Sequence, residues 1–158
     1  MSKSPFFVIA HNIRSLENVG SVFRTSDAFG VTKLFLTGYT GKPPEQKISK
    51  TALGAELVVP WEKHVSAVRL ITRLKKEHPG LTVVGLENNI LTKRLVSLSD
   101  FNASGSIALV LGTETTGIPR NVQKVCDVFV EIPMRGEKES LNVAVAFGIA
   151  AFVIALRR

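Results

Sequence analysis

Residues 131–158 read EIPMRGEKESLNVAVAFGIAAFVIALRR. A charged turn runs into a long apolar segment that reaches the last residues. From Leu141 to Leu156 the only clearly polar side chain is Asn142. A single membrane span needs about 20 apolar residues, so this run is short for one. Ala144, Gly148, Ala151 and Ala155 recur at helical spacing and let another backbone come close. The stretch therefore reads as a helix buried on nearly all sides, in a soluble core or a subunit contact. Ser140 is its expected N-cap.

Upstream, short apolar runs alternate with helical patterns. FFVIA (6–10), KLFLTG (33–38), LVVPW (57–61), LTVVGLE (81–87), SIALVLG (106–112) and DVFVEIP (127–133) read as strands. Pro60 marks the end or an edge of the third. SLENVGSVFRTSDAFG (15–30) carries Leu16, Val19, Val22, Phe23 and Phe29 on a helical repeat and stops at Gly30. HVSAVRLITRLKKEHPG (64–80) is amphipathic and is closed by Pro79-Gly80. PRNVQKVC (119–126) opens with a proline suited to a first helical turn. The segment 39–56 holds two prolines and several lysines and is expected to be a loop with one helical turn. The alternation predicts one α/β domain over 1–158, a mostly parallel sheet with helices on both faces. Ligands of such sheets sit beyond the carboxyl ends of the strands, here the loops after 81–87, 106–112 and 127–133.

The 158 residues suit a single core, and a formal net charge of +7 favours a polyanionic partner, nucleic acid before an anionic membrane surface. Cys126 is the single cysteine, so an intramolecular disulfide is excluded and a reducing cytoplasm fits. His11, His64 and His78 lack metal-ligand spacing, and no metal site is expected. The apolar run 6–10 is too short for a secretory leader. Neither a phosphate-binding P-loop nor a dinucleotide fingerprint occurs, and no Ser-His-acid or Cys-His arrangement stands out.

The loop LGTETTGIP (111–119) places Glu114 between Gly112 and Gly117, where backbone can approach a ligand closely. The loop IPMRGEKES (132–140) ends at the start of the last helix, whose free N–H groups favour an anion or a lone pair. Asn142 on an otherwise apolar helix needs a hydrogen-bond partner. It either caps or satisfies a neighbouring loop, or belongs to a site. Arg24, among Val22, Phe23 and Phe29, either snorkels to solvent or pairs with an anion, with Glu114 a candidate partner.

Taken together, NVGSVFRTSDAFGV (18–31), LVLGTETTGIP (109–119) and EIPMRGEKESLNVAVAFGIA (131–150) resemble, in order and spacing, the three motifs of the SpoU/TrmH class of RNA 2′-O-ribose methyltransferases, of the SPOUT superfamily. The resemblance spans essentially the whole chain. It implies a C-terminal trefoil knot that pattern alone does not reveal, since connections are almost never knotted. It implies an S-adenosylmethionine pocket in that knot, with Gly112, Ile132 and Leu141 as cofactor contacts and Leu86 and Met134 lining the two ends of the cofactor. It further implies a catalytic cluster of Asn18, Arg24, Glu114, Ser140 and Asn142, and a homodimer with the site near its interface.

The implied reaction moves a methyl group from the sulfonium to a ribose 2′-hydroxyl of tRNA or rRNA. A guanidinium is effectively always protonated, so Arg24 is better suited to bind RNA phosphate and stabilise developing charge than to act as a base. Glu114 would orient it, and Ser140 and Asn142 would position ribose and loop. Thr113 and Thr115-Thr116 depart from the usual second motif, and Ala144 stands where a serine is common. No catalytic group is lost, so an active enzyme is expected. The alternative is a catalytically silent RNA-binding or assembly protein on the same fold. Relatives often carry an added RNA-binding extension. None is expected here, which leaves Lys42, Lys47 and Lys50, with Arg24, Arg135 and Lys138, as the RNA-binding candidates.

Overall fold

A computed structural model of the chain describes residues 3–88, 90–91 and 94–158. Its seven strands are β1 Phe6–His11, β2 Lys33–Thr37, β3 Trp61–His64, β4 Thr82–Leu86, β5 Leu95–Ser97, β6 Ile107–Leu111 and β7 Val128–Glu131. They form one sheet in the order β3-β2-β1-β6-β4-β7-β5, and every strand pairing is parallel. The five α-helices are α1 Leu16–Ala28, α2 Gln46–Ala52, α3 Ala67–Glu77, α4 Arg120–Gln123 and α5 Val143–Leu156.

Strands β1 and β6 are buried at every position, which is why their sequences are apolar without alternation. Neighbouring residues still face opposite layers. Phe6, Val8 and Ala10 join a core with Val22 and Phe23 of α1 and Phe147 and Ile154 of α5. Phe7 and Ile9 join a second core with Leu70, Ile71 and Leu74 of α3 and Val122 of α4. Helices thus cover both faces, as the sequence predicts. Each fully buried phenylalanine or leucine contributes about 1.5–3 kcal/mol of burial, so the two layers dominate stability.

Two expectations need correction at the β3 edge of the sheet, and one strand at the opposite edge is new. The stretch 57–61 is not a strand. Ala55–Leu57 forms a 3-10 turn, Leu57 and Val58 are exposed, and the strand begins only at Trp61. Pro60 lacks an N–H for the ladder, yet its carbonyl accepts Leu34 N–H at 2.9 Å and so starts the pairing one residue later. The strand that follows, WEKH, is polar because it lies at the sheet edge. Segment 39–56 holds a seven-residue helix, α2, and not one turn. Ile48 and Ala52, four apart, are both buried and share its inner face. The short edge strand β5 was not foreseen.

Edge strand β3 carries a charge cluster. Glu62 accepts from Lys33 Nζ at 2.8 Å and lies 2.7 Å from His64 Nε2. These contacts, Lys33 first and His64 second, hold its carboxyl down at about 2. A depressed carboxylate adds stability above its ordinary range and loses it as pH falls through the lowered value. The pair is more than a third exposed, so solvent screens it. Glu62→Gln is expected to lower Tm by about 2 °C at pH 7 and to leave it unchanged near pH 2, as read by thermal melts across pH.

The tail helix departs from expectation twice. Its N-cap is Asn142, not Ser140: Asn142 Oδ1 accepts the N–H groups of Ala144 and Val145 at 2.9 and 3.3 Å. Within one chain it is also buried on one face only. Phe147, Ala150, Ala151 and Ile154 face the core. Leu141, Val145, Ile149, Phe152 and Leu156 lie exposed along the other side, with Phe152 at 50% and Leu156 at 69%. Among the described residues, no helix is long and apolar enough to cross a membrane.

Candidate active site

The carboxyl ends of β4, β6 and β7 open onto one cleft, at the loops that the sheet rule singles out. After β4 it is walled by Leu86, Glu87 and Asn88. After β6 it is walled by Gly112 through Gly117, and after β7 by Ile132, Glu139, Ser140 and Leu141. Val143 and Ala146 of α5 form its floor with Leu111.

The loop after β6 is a tight, self-bonded hairpin. The backbones of Thr113 and Gly117 exchange two hydrogen bonds of 3.1 Å. Thr113 Oγ1 accepts Thr116 N–H at 3.0 Å and lies 2.7 Å from Thr116 Oγ1. The threonines that depart from the usual motif thus fix the loop's shape. Gly112 is needed because a Cβ there would lie 2.4 Å from the carbonyl carbon of Gly117. Gly117 itself has φ +72, a conformation that side chains rarely adopt.

Glu87 ties this hairpin to β4. Its Oε2 accepts Ile118 N–H at 2.8 Å, and burial raises its pKa above the usual carboxylate range. Asn88 does the same for the third loop. Its Nδ2 donates to the carbonyls of Ile132 and Glu139 at 3.2 Å, and its Oδ1 accepts Ile132 N–H at 3.2 Å. Both residues were missed from sequence. Their signal was position: they are the first polar side chains after an apolar strand whose carboxyl end faces the site.

At the rim the three sequence segments meet through side chains. Asn18 of α1 donates from Nδ2 to Glu114 Oε1 at 3.3 Å. Asn142 donates from Nδ2 to Asn18 Oδ1, also at 3.3 Å. Asn142 therefore both caps α5 and joins the site, so the two readings of it hold together. Ser15 places Asn18 by capping α1, its Oγ accepting Asn18 N–H at 3.1 Å.

Leu86, Gly112, Ile132, Leu141, Glu114 and Ser140 line the cleft, while Asn18 and Asn142 join it through this relay. Met134 is not among the lining residues. Arg24 is not either. It is exposed in a shallow depression with Asp27, Leu53, Gly54 and Val58, on the α2 side of α1. The partner of Glu114 is accordingly Asn18 and not Arg24. The reason is helical geometry: six residues carry Arg24 to another face of the helix. Lys42, Lys47, Lys50, Arg135 and Lys138 are all exposed on loops or on α2. Among the described residues no group of acidic, cysteine and histidine side chains is arranged to hold a metal.

A parallel sheet with a cleft at its carboxyl ends, closed by a helix capped from within the site, defines a ligand-binding α/β domain. Its sequence matches the model of the SpoU rRNA Methylase family over residues 5–152, and the chain belongs to that family. It is 31% identical to the 23S rRNA (guanosine-2′-O-)-methyltransferase RlmB of Vibrio vulnificus over 149 residues, 94% of this chain and 58% of that protein. The chain thus spans a little over half the length of such curated relatives. Among solved structures it resembles the A. aeolicus TrmH/SpoU tRNA modifying enzyme, with TM-score 0.85 and 28% identity over 99% of this chain and 76% of that one. The fold is shared with the SpoU methyltransferase AviRb from Streptomyces viridochromogenes, at TM-score 0.89 and 22% identity over 99% of this chain and 62% of that one.

Proposed function

We propose that the chain transfers the methyl group of S-adenosylmethionine to a ribose 2′-hydroxyl of RNA. The observation that carries this reading is the Glu114–Asn18–Asn142 relay at the rim of the cleft. The cleft suits the cofactor. Leu86, Ile132 and Leu141 offer apolar walls, and Glu87, Glu114 and Glu139 offer carboxylates to a ligand that is cationic at its reacting centre. Bound there, the cofactor supplies an electrophilic methyl group.

The chain's own residues then hold the hydroxyl in line and help its proton away. Among the described residues Glu114 keeps one carboxylate oxygen without a protein partner, while Asn18 holds the other. That free oxygen is placed to accept the 2′-hydroxyl. Ser140 positions the ribose from the opposite wall, and Asn142 fixes Asn18 and the start of α5. Arg24 binds RNA phosphate and stabilises charge on the reacting oxygen. The knotted threading remains what the family implies, and Asn88 holds both ends of the loop 132–139 by hydrogen bonds.

The protein works as a homodimer in this reading. Val145, Ile149, Phe152 and Leu156 of α5 form an exposed apolar stripe at helical spacing beside the site, and a second copy would cover it. Arg24 then serves the site of the second subunit, because within one chain it stands apart from the cleft. Phe152→Glu is expected to convert the dimer to a monomer in light scattering and to lose transfer with it. A dimer that persists in this variant would move the interface elsewhere.

A single cysteine, the buried Cys126, and the RNA substrate suit a cytoplasmic protein. Relatives of this chain include enzymes named for 23S rRNA and for tRNA, so both pools belong in the test. Calorimetric titration of S-adenosylmethionine is expected to saturate without RNA. Labelled methyl is then expected to enter unmodified rRNA or tRNA. Binding of RNA without transfer would instead favour the catalytically silent alternative.

A further inference from the structure

We propose that Tyr39 and Arg14 form a stacking platform for an unpaired RNA base within a nucleotide of the methylated ribose; this rests on the RNA-methylation reading above. Tyr39 is the single tyrosine of the chain and is 52% exposed, beyond the carboxyl end of β2. Arg14 is exposed beyond the end of β1, with its guanidinium carbon 5.7 Å from the Tyr39 ring centroid and its Nε 3.4 Å from the phenol oxygen. One side of the ring thus meets a cation, and about half of the residue stays open to solvent.

The two loops are braced as firmly as a core. Asn12 Oδ1 accepts Tyr39 N–H at 3.1 Å. Ile13 N–H donates to Thr40 Oγ1 at 3.0 Å, and that hydroxyl donates to the Ala10 carbonyl at 2.8 Å. Lys63 Nζ donates to the carbonyls of Gly38 and Thr40, at 2.6 and 2.5 Å, from beneath. Burial, and to a smaller degree the nearby charge of Lys42, lowers the pKa of that lysine. An exposed aromatic on a loop held this tightly loses little freedom when something stacks on it.

Its position links it to the reaction. Arg14 directly precedes Ser15, the cap of α1, and Asn18 stands one turn further on against Glu114. The Arg14 charge is stabilised first by Tyr39 and, to a smaller degree, by Glu114. Unpaired bases of RNA are recognised by stacking on aromatic rings and guanidinium planes, while the cation also meets the neighbouring phosphate. A ribose can present its 2′-hydroxyl at the rim only if its base, or the next one, is held to one side. Tyr39 is placed to hold it.

The uniqueness of Tyr39 gives a direct readout. Protein labelled with 3-fluorotyrosine carries a single ¹⁹F resonance, from Tyr39 alone. Titration with oligoadenylate in the presence of S-adenosylmethionine is expected to shift this resonance. The matching abasic ribose-phosphate chain is expected to leave it in place. Tyr39→Ala should weaken oligoadenylate binding about tenfold, and Tyr39→Phe should restore most of it. Cofactor titration of each variant reports that the cleft is still formed. An unmoved resonance while fluorescence anisotropy records RNA binding would overturn the platform and leave the methyltransferase reading standing. Failure of the unsubstituted protein to bind or methylate any RNA would overturn both.

Discussion

Arg24→Ala is expected to lower methyl transfer by about 100-fold or more and to leave S-adenosylmethionine binding unchanged. The size follows from removing the guanidinium proposed to stabilise developing charge on the reacting oxygen. The unchanged cofactor affinity follows from geometry, since Arg24 lines none of the cleft. Its position adds a sharper expectation. When Arg24→Ala subunits are mixed with Glu114→Ala subunits under exchange, activity reappears. Each mixed dimer then owns one site with Glu114 from one chain and Arg24 from the other. Mixtures that stay silent would place Arg24 in its own subunit's site and require the side chain to swing across α1.

Gly112→Val is expected to remove cofactor binding. The substitution sets a branched side chain where even a Cβ would lie 2.4 Å from Gly117 carbon and 2.5 Å from Ile118 nitrogen. Both are backbone atoms, so the hairpin 113–117 must move as a unit. That motion breaks the Ile118 N–H bond to Glu87 and shifts Glu114 off Asn18. Overpacking of this kind costs about 1–3 kcal/mol, and the misplaced wall adds to the loss at the site. Calorimetry should read a fall in affinity of about 100-fold or more with a modest drop in Tm. Unaltered cofactor affinity would mean that the hairpin does not shape the pocket.

The layered sheet was legible in the sequence because β1, β4, β6 and β7 are buried on both faces and read as unbroken apolar runs. The carboxyl-end rule then pointed to the three loops that wall the cleft. Segment 57–61 misled for an identifiable reason. Leu57 and Val58 are apolar but exposed, and the true strand Trp61–His64 is polar because it lies at an edge. Local pattern reports burial, and an edge strand gives little of it.

The site was legible in its residue types and less so in its pairings. Gly112, Glu114, Ile132, Ser140 and Leu141 line one cleft, and Asn142 stands at its rim. The partner of Glu114 did not, because a charge of opposite sign is the obvious candidate and an amide is not. Asn142 was ambiguous because capping and site membership leave the same mark, one polar residue at the head of an apolar helix. The tail helix illustrates the same limit. Its sequence is apolar on all sides, yet one chain covers only the side of Phe147 and Ile154. In the proposed reading a second copy covers the remainder, which a single sequence does not display.

The central claim is chemical: the methyl group goes to a ribose oxygen. The direct measurement is the position of the label. RNA methylated by the protein with labelled S-adenosylmethionine is hydrolysed in alkali, which cleaves only where a free 2′-hydroxyl stands. Label recovered in alkali-resistant dinucleotides, and lost from them in Glu114→Ala, is the expected result. Label recovered on a base, in mononucleotides, would contradict it.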